Sequence, residues 1–169
     1  NTLILSVAKI IIGTILAIAT ALLLNECRHR LLKKSVQTII YFPYFISWII
    51  MAGILADMLS PTKGVINQLI TSIGGTPVYF LGDNRYFRGT LIISDIWKNF
   101  GYNSVVYLAA ITGIDMSLYE AAAIDGAGRW KQTLHVTLPG MSVIIILMVI
   151  LNMGNLLNAG FDQVFNLYS

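Results

Sequence analysis

Glu120, Asp125, Arg129, Lys131 and His135 fall within one short stretch, EAAAIDGAGRWKQTLHVTLPG, punctuated by Gly126, Gly128 and Gly140. Carboxylates, cations and an imidazole at this density can do acid–base work, hold a metal, or pair with charges on a second molecule. The spacing argues against the first two. His29 and His135 stand far apart and Cys27 is alone, so no set of ligands has metal-site spacing. Neither histidine sits in a triad-like constellation, and no G-x-x-x-x-G-K-[ST] phosphate loop occurs anywhere. The sequence therefore offers no catalytic residue, no metal site and no cofactor of its own. What remains is recognition by a charged, glycine-broken segment.

The elements on either side explain why such a segment is unusual. The chain is 56% hydrophobic and only 11% charged, whereas soluble domains carry about a quarter charged residues. Apolar surface in that excess faces lipid. Four runs approach the length of about 20 residues that a helix needs to cross a bilayer: about 2–24, 38–56, 91–114 and 139–159. In hydrocarbon they must be helical, because open strands leave amides unpaired. Pro43 should kink the second, and Pro139 should open the fourth. Gly13, Ala17 and Ala21, spaced by four, form a small-residue face on the first that admits a close neighbour. The net charge of +3 is too small and scattered for a nucleic-acid footprint. One cysteine excludes an internal disulfide. The opening run lacks a basic n-region and a cleavage site, so it reads as a span and the chain as a piece of a longer membrane protein.

Arg28, Arg30, Lys33 and Lys34 crowd the connection Asn25–Gln37 and mark it as cytoplasmic. The connection from about 57 to 90 is then outside, with turn chemistry at SPTKG, GGTP and GDN and a short amphipathic helix, VINQLITSI, between the first two. The loop of about 115–138 returns to the cytoplasm. There Ser117 and Glu120 have capping-box spacing, Leu118–Asp125 are good helix formers, and Gly126 permits a helix stop. A second short helix over Arg129–His135 follows. Helix–helix connections usually take two to eight residues, and this one mixes Ala, Ile and Leu with its charges, so its surface packs on something.

At these residues the sequence resembles the EAA loop of ATP-binding-cassette importer permeases: Glu120-Ala121-Ala122, then Gly126, then Val136, then Leu138-Pro139, with Val136 for Ile the only change. The DGA at Asp125–Ala127, GVIN at Gly64–Asn67 and IWKNFGYN at Ile96–Asn103 further resemble the carbohydrate branch. The resemblance covers nearly the whole chain. It implies an all-α fold, a polytopic membrane helical bundle of the type I importer permease kind, in a bacterial inner membrane. It implies a coupling helix that docks on a separate ATPase subunit, which binds the ATP and Mg. The docking residues would be Glu120, Ala121, Ala122, Asp125, Gly126, Leu138 and Pro139. It also implies a second permease subunit and an external solute-binding protein that delivers a sugar or oligosaccharide.

Polar residues within the spans supply candidates for the substrate path. Asn103, Tyr107, Asn152 and Asn155, with Trp48 near the Pro43 kink, could line a polar cavity, since amides bond hydroxyls and rings stack on sugar faces; each could equally tie helices together. Asp95 and Lys98 stand at i, i+3 and would pair, with Lys98 reaching to the interface, and Lys9 would snorkel or pair. Three other readings stay open: an importer permease for another solute, such as an amino acid, peptide or phosphate, a secondary transporter, and a non-transporting assembly or regulatory membrane protein. The second would need relay charges or a broken-helix repeat, and neither is visible.

Overall fold

A computed structural model describes residues 2–154 and 160–167, and every element among them is helical. The first helix, α1 (Thr2–Glu26), carries one apolar face outward: Ile4, Ile11 and Ile15 are exposed. Its opposite face buries Ala17 and Ala21 completely, against Tyr107, Ile111 and Met141. Two of the three small residues thus do what their spacing predicts, Ala17 and Ala21 letting α1 and its neighbour approach closely, whereas Gly13 borders open space.

The basic segment after α1 is not a loop. Most of it forms α2 (Arg30–Tyr41), an amphipathic helix with no buried residue. The second expected span is likewise not one kinked helix. Pro43 begins a 3₁₀ turn, Phe42–Phe45, and the chain then extends through Ile46 before α3 (Trp48–Leu59) starts. The halves on either side of this elbow differ in direction by 106°. Ser47 caps α3 by accepting from the Ile50 N–H at 3.4 Å.

The outer connection holds α4 (Val65–Ser72) and is organised by one residue. Asn67, 2% exposed, donates to the carbonyls of Leu59, Ser60 and Val78 and accepts from the Val78 N–H at 2.7 Å. Helix α5 (Asn84–Thr112) starts well ahead of the apolar run, because the Asp83 carboxylate accepts from the Arg85 N–H at 2.8 Å and supplies the N-cap. It is the central element and packs along α1, α2 and the elbow.

Below it come α6 (Met116–Ile124) and α7 (Arg129–Gln132), then a π turn over Thr133–Thr137, α8 (Leu138–Gly140), α9 (Ser142–Gly154) and α10 (Phe161–Leu167). Pro139 therefore does not open the fourth span. The helix begins at Arg129 and bends by 56° just past Gly140. Among the described residues only Leu3–Glu26 is long and apolar enough to cross a membrane by itself; with each bent pair taken as one span, the number rises to as many as four.

Candidate functional site

Two places collect the predicted residues. The first is the hairpin at the end of α5. Gly113 ends α5, the axis turns by 69°, and Asp115 starts α6 by accepting from the Ser117 N–H at 2.9 Å. The cap is thus Asp115, and Ser117 lies inside the helix; the expected capping box does not form. These bonds hold the Asp115 carboxyl below the usual carboxylate range.

At the other end Gly126 has φ +76°, a conformation that L side chains resist. Its N–H donates to the Ala123 carbonyl at 3.0 Å, and the Ala127 N–H donates to the Ala122 carbonyl at 2.9 Å. This is a Schellman stop, so Gly126 makes the turn that its position predicts.

The hairpin is held from behind. Tyr119 and Thr137 share a hydroxyl hydrogen bond of 2.9 Å, and Gln132 donates to the Ala127 carbonyl at 3.0 Å. Arg129 pairs with Glu26 at the end of α1. Leu138 packs against the Ala17–Tyr107–Met141 cluster and fixes the hairpin to the bundle. Leu138 is therefore turned to the bundle, and Pro139 beside it is exposed.

That surface is open. No residue of α6 is buried; Glu120, Ala121 and Asp125 are exposed, and Ala122 is half-buried. Beside them Ile124 is 86% exposed and Trp130 74% exposed. Large apolar side chains at such exposure, next to a carboxylate with no ion pair among the described residues, make a surface suited to a partner.

The second place is a cavity of about 350 Å³ between α1, the elbow, α5 and α9, within the size range of small-molecule sites. Asn103, Tyr107 and Asn152 all line it, with Asn99, Thr14 and Tyr44. Trp48 does not; it sits half-buried at the start of α3. Asn155 lies outside the described residues, as do Asn158 and Ala159.

The charges at the cavity wall pair differently from the expected i, i+3 arrangement. Asp95 meets Lys9 of α1 at 3.6 Å, and Lys9 also donates to Gln163 Oε1 at 2.5 Å. Gln163, fully buried, donates in turn to the Leu91 carbonyl and to Ser94 Oγ. Lys98 turns away, into the elbow. Gln163 was absent from the predicted site because nothing local marks it, and the contact of α10 with α5 brings it in. Tyr44, an aromatic beside the Pro43 kink that could line a cavity or only pack, stands on the cavity wall.

Comparison with known proteins places this geometry among relatives. Residues 9–161 match the family described as binding-protein-dependent transport system inner membrane component. The polygalacturonan/rhamnogalacturonan transport system permease protein YteP of Bacillus subtilis (strain 168) is 44% identical over 98% of this chain and 51% of its own length. The lactose transport system permease protein LacF of Rhizobium radiobacter is 33% identical over 98% of this chain and 55% of its own. A chain in the crystal structure of a bacterial ABC transporter involved in import of the acidic polysaccharide alginate superposes with a TM-score of 0.96 at 42% identity. That alignment covers 100% of this chain and 59% of the other. A chain of the alginate transporter in complex with alginate pentasaccharide-bound periplasmic protein gives a TM-score of 0.95. The chain thus spans about half the length of the curated relatives it matches.

Proposed function

This chain belongs to the family of binding-protein-dependent transport system inner membrane components, and from that premise we propose that it is the membrane core of one permease subunit of an ATP-driven sugar or oligosaccharide importer. The ATPase is a separate subunit that binds ATP and Mg. A second permease completes the path, and an external binding protein delivers the sugar. Work passes through α6: nucleotide closes the ATPase pair, the pair carries α6 with it, and the cavity beside Asn103 and Asn152 changes its access from one side to the other.

The observation that carries this reading is the α6 hairpin. It is rigid where it meets the bundle, through Tyr119–Thr137 and Leu138, and open where it faces away, at Glu120, Ile124 and Trp130. A segment built that way transmits displacement without absorbing it. Its exposed carboxylate suits a basic groove, and desolvation on docking would make the resulting pair costly to break.

The cavity supports a glycan as cargo. Amides and phenols at Asn99, Asn103, Tyr107 and Asn152 match hydroxyl groups, and Tyr44 offers a ring face. Polygalacturonan and alginate, named for two of the relatives, are both glycans. The test is to purify the full-length protein with its ATPase and second permease in lipid vesicles. ATP hydrolysis is then measured with the cognate binding protein loaded with oligogalacturonate, alginate pentasaccharide, lactose or an amino-acid mixture. Stimulation by one of the sugars is expected; stimulation by amino acids alone assigns another solute, and failure of an ATPase to co-purify overturns the reading.

A further inference from the structure

Lys98 is 7% exposed and takes no part in the transport chemistry proposed above. Its ammonium donates to the main-chain carbonyls of Pro43 at 3.2 Å, Tyr44 at 3.0 Å and Ile46. Those three acceptors use all three of its N–H bonds. They lie where the helical ladder breaks, the Pro43 carbonyl also accepting from the Ile46 N–H at 3.3 Å, and at membrane depth no water replaces a lost partner. The same ammonium stands 5.4 Å from the ring centroid of Trp48 and 6.0 Å from that of Tyr44, within cation–π range.

A second contact fixes the same junction. Gly101, buried one turn along α5, has no Cβ, and one placed there would strike the Ile40 carbonyl oxygen just before the elbow. So α5 grips main chain on both sides of Pro43, through the Lys98 ammonium after it and by direct backbone approach at Gly101 before it. On the cavity side Tyr44 stacks on Tyr102 of α5, with centroids 3.9 Å apart and planes 5° from parallel. At its far end α5 runs through Gly113 into the Asp115 cap of α6.

We propose that Lys98 is a positioning residue that makes the Pro43–Ile46 elbow move as one body with α5, so that displacement of α6 reaches Tyr44 at the cavity wall. This rests on the importer reading, and the test keeps the two apart. Cysteines at Phe42 and Ile73 report the elbow against the outer connection, and cysteines at Ile124 and Ile73 report α6; all three positions are exposed. Each pair is introduced by substitution (Phe42→Cys, Ile73→Cys, Ile124→Cys) in a Cys27→Ser background. Spin-label distances are measured in the assembled importer before and after trapping with ATP and vanadate.

In the otherwise unaltered importer both distances shift, by about 2–5 Å, the range of helix displacements in switching proteins. If neither shifts, the importer reading itself fails. In Lys98→Met the α6 shift persists, the elbow shift is lost, and the resting distances stay as they were; Lys98→Arg, which keeps several donors, restores the elbow shift. A purely structural role would instead alter the resting distances or the amount of assembled complex. If Lys98→Met does not assemble, Lys98→Gln, which keeps two donors, is read in the same way and an elbow shift at least halved is expected. An elbow that still follows α6 in the Met or Gln variant overturns the proposal.

Discussion

The charges of this chain live in two settings. Around the middle of α5 they are satisfied internally: Lys9 with Asp95 and Gln163, Gln163 with Ser94 and Leu91, Lys98 with the elbow carbonyls. On α6 Glu120 is exposed and has no ion-pair partner among the described residues. The contrast follows the cost of solvation. A charge within the bundle must be paired where it stands, whereas a charge in water can wait for a partner. Polarity inside therefore holds this fold together, and polarity below it is left for something else to use.

The sharpest way to break that contrast is to orphan a buried charge. Asp95→Leu leaves the Lys9 ammonium with Gln163 but without its counter-charge, and should destabilise the protein by about 3 kcal/mol. Adding Lys9→Met should recover most of that loss, read by thermal unfolding in detergent; additive losses would mean that the pair contributes nothing as a pair. On the open side, Glu120→Lys should leave unfolding within about 0.5 kcal/mol of the parent. It should weaken ATPase association at least about tenfold, or about 1.4 kcal/mol, measured by titrating the ATPase onto the purified permease.

Between these extremes lies the backbone of the hairpin. Gly126→Ala forces an L side chain into φ +76° and should cost about 1 kcal/mol in unfolding, with Gly126→Asn costing less. The smallest effect belongs to Asp115. Its folded pKa is depressed by the Ser117 bonds, so its contribution is complete above the ordinary carboxylate value of about 3.9 and fades as pH falls through the lower folded value. The Ser117 amide resonance should report that titration; a midpoint at the free-Asp value would mean the cap is not formed in solution.

Much of the α6 hairpin was legible because its signals are local. A cap residue, helix formers and a glycine with positive φ lie within a few positions of one another, and each acts on its own backbone. Even there the cap was misplaced: capping-box spacing puts it at Ser117, whereas the Asp115 carboxylate reaches the Ser117 amide and starts the helix two residues earlier. The small-residue face of α1 was legible for the same reason. The elbow was not. Pro43 announces a break, but its size depends on Lys98 accepting the role of partner to freed carbonyls far away in sequence. That choice also explains why Asp95 turns to Lys9: its neighbour on α5 is already engaged. The cavity fell between these cases. Asn103, Tyr107 and Asn152 could be named from polarity within apolar runs, while Gln163, beside the Lys9–Asp95 pair, needed the docking of α10 to be known.

The π turn has a consequence of its own. Over Thr133–Thr137 the main chain closes one wider loop, with the Leu138 N–H reaching back to the Thr133 carbonyl, which amounts to one surplus residue wound into a regular helix. Each residue of such a coil advances about 100° around its axis. Removing one threonine there would let the winding become uniform and would swing everything upstream by about that angle, with every side chain of α6 retained. The interval between Gly126 and Val136 is therefore an angular setting: it aims the lever, while the side chains decide only what the lever grips.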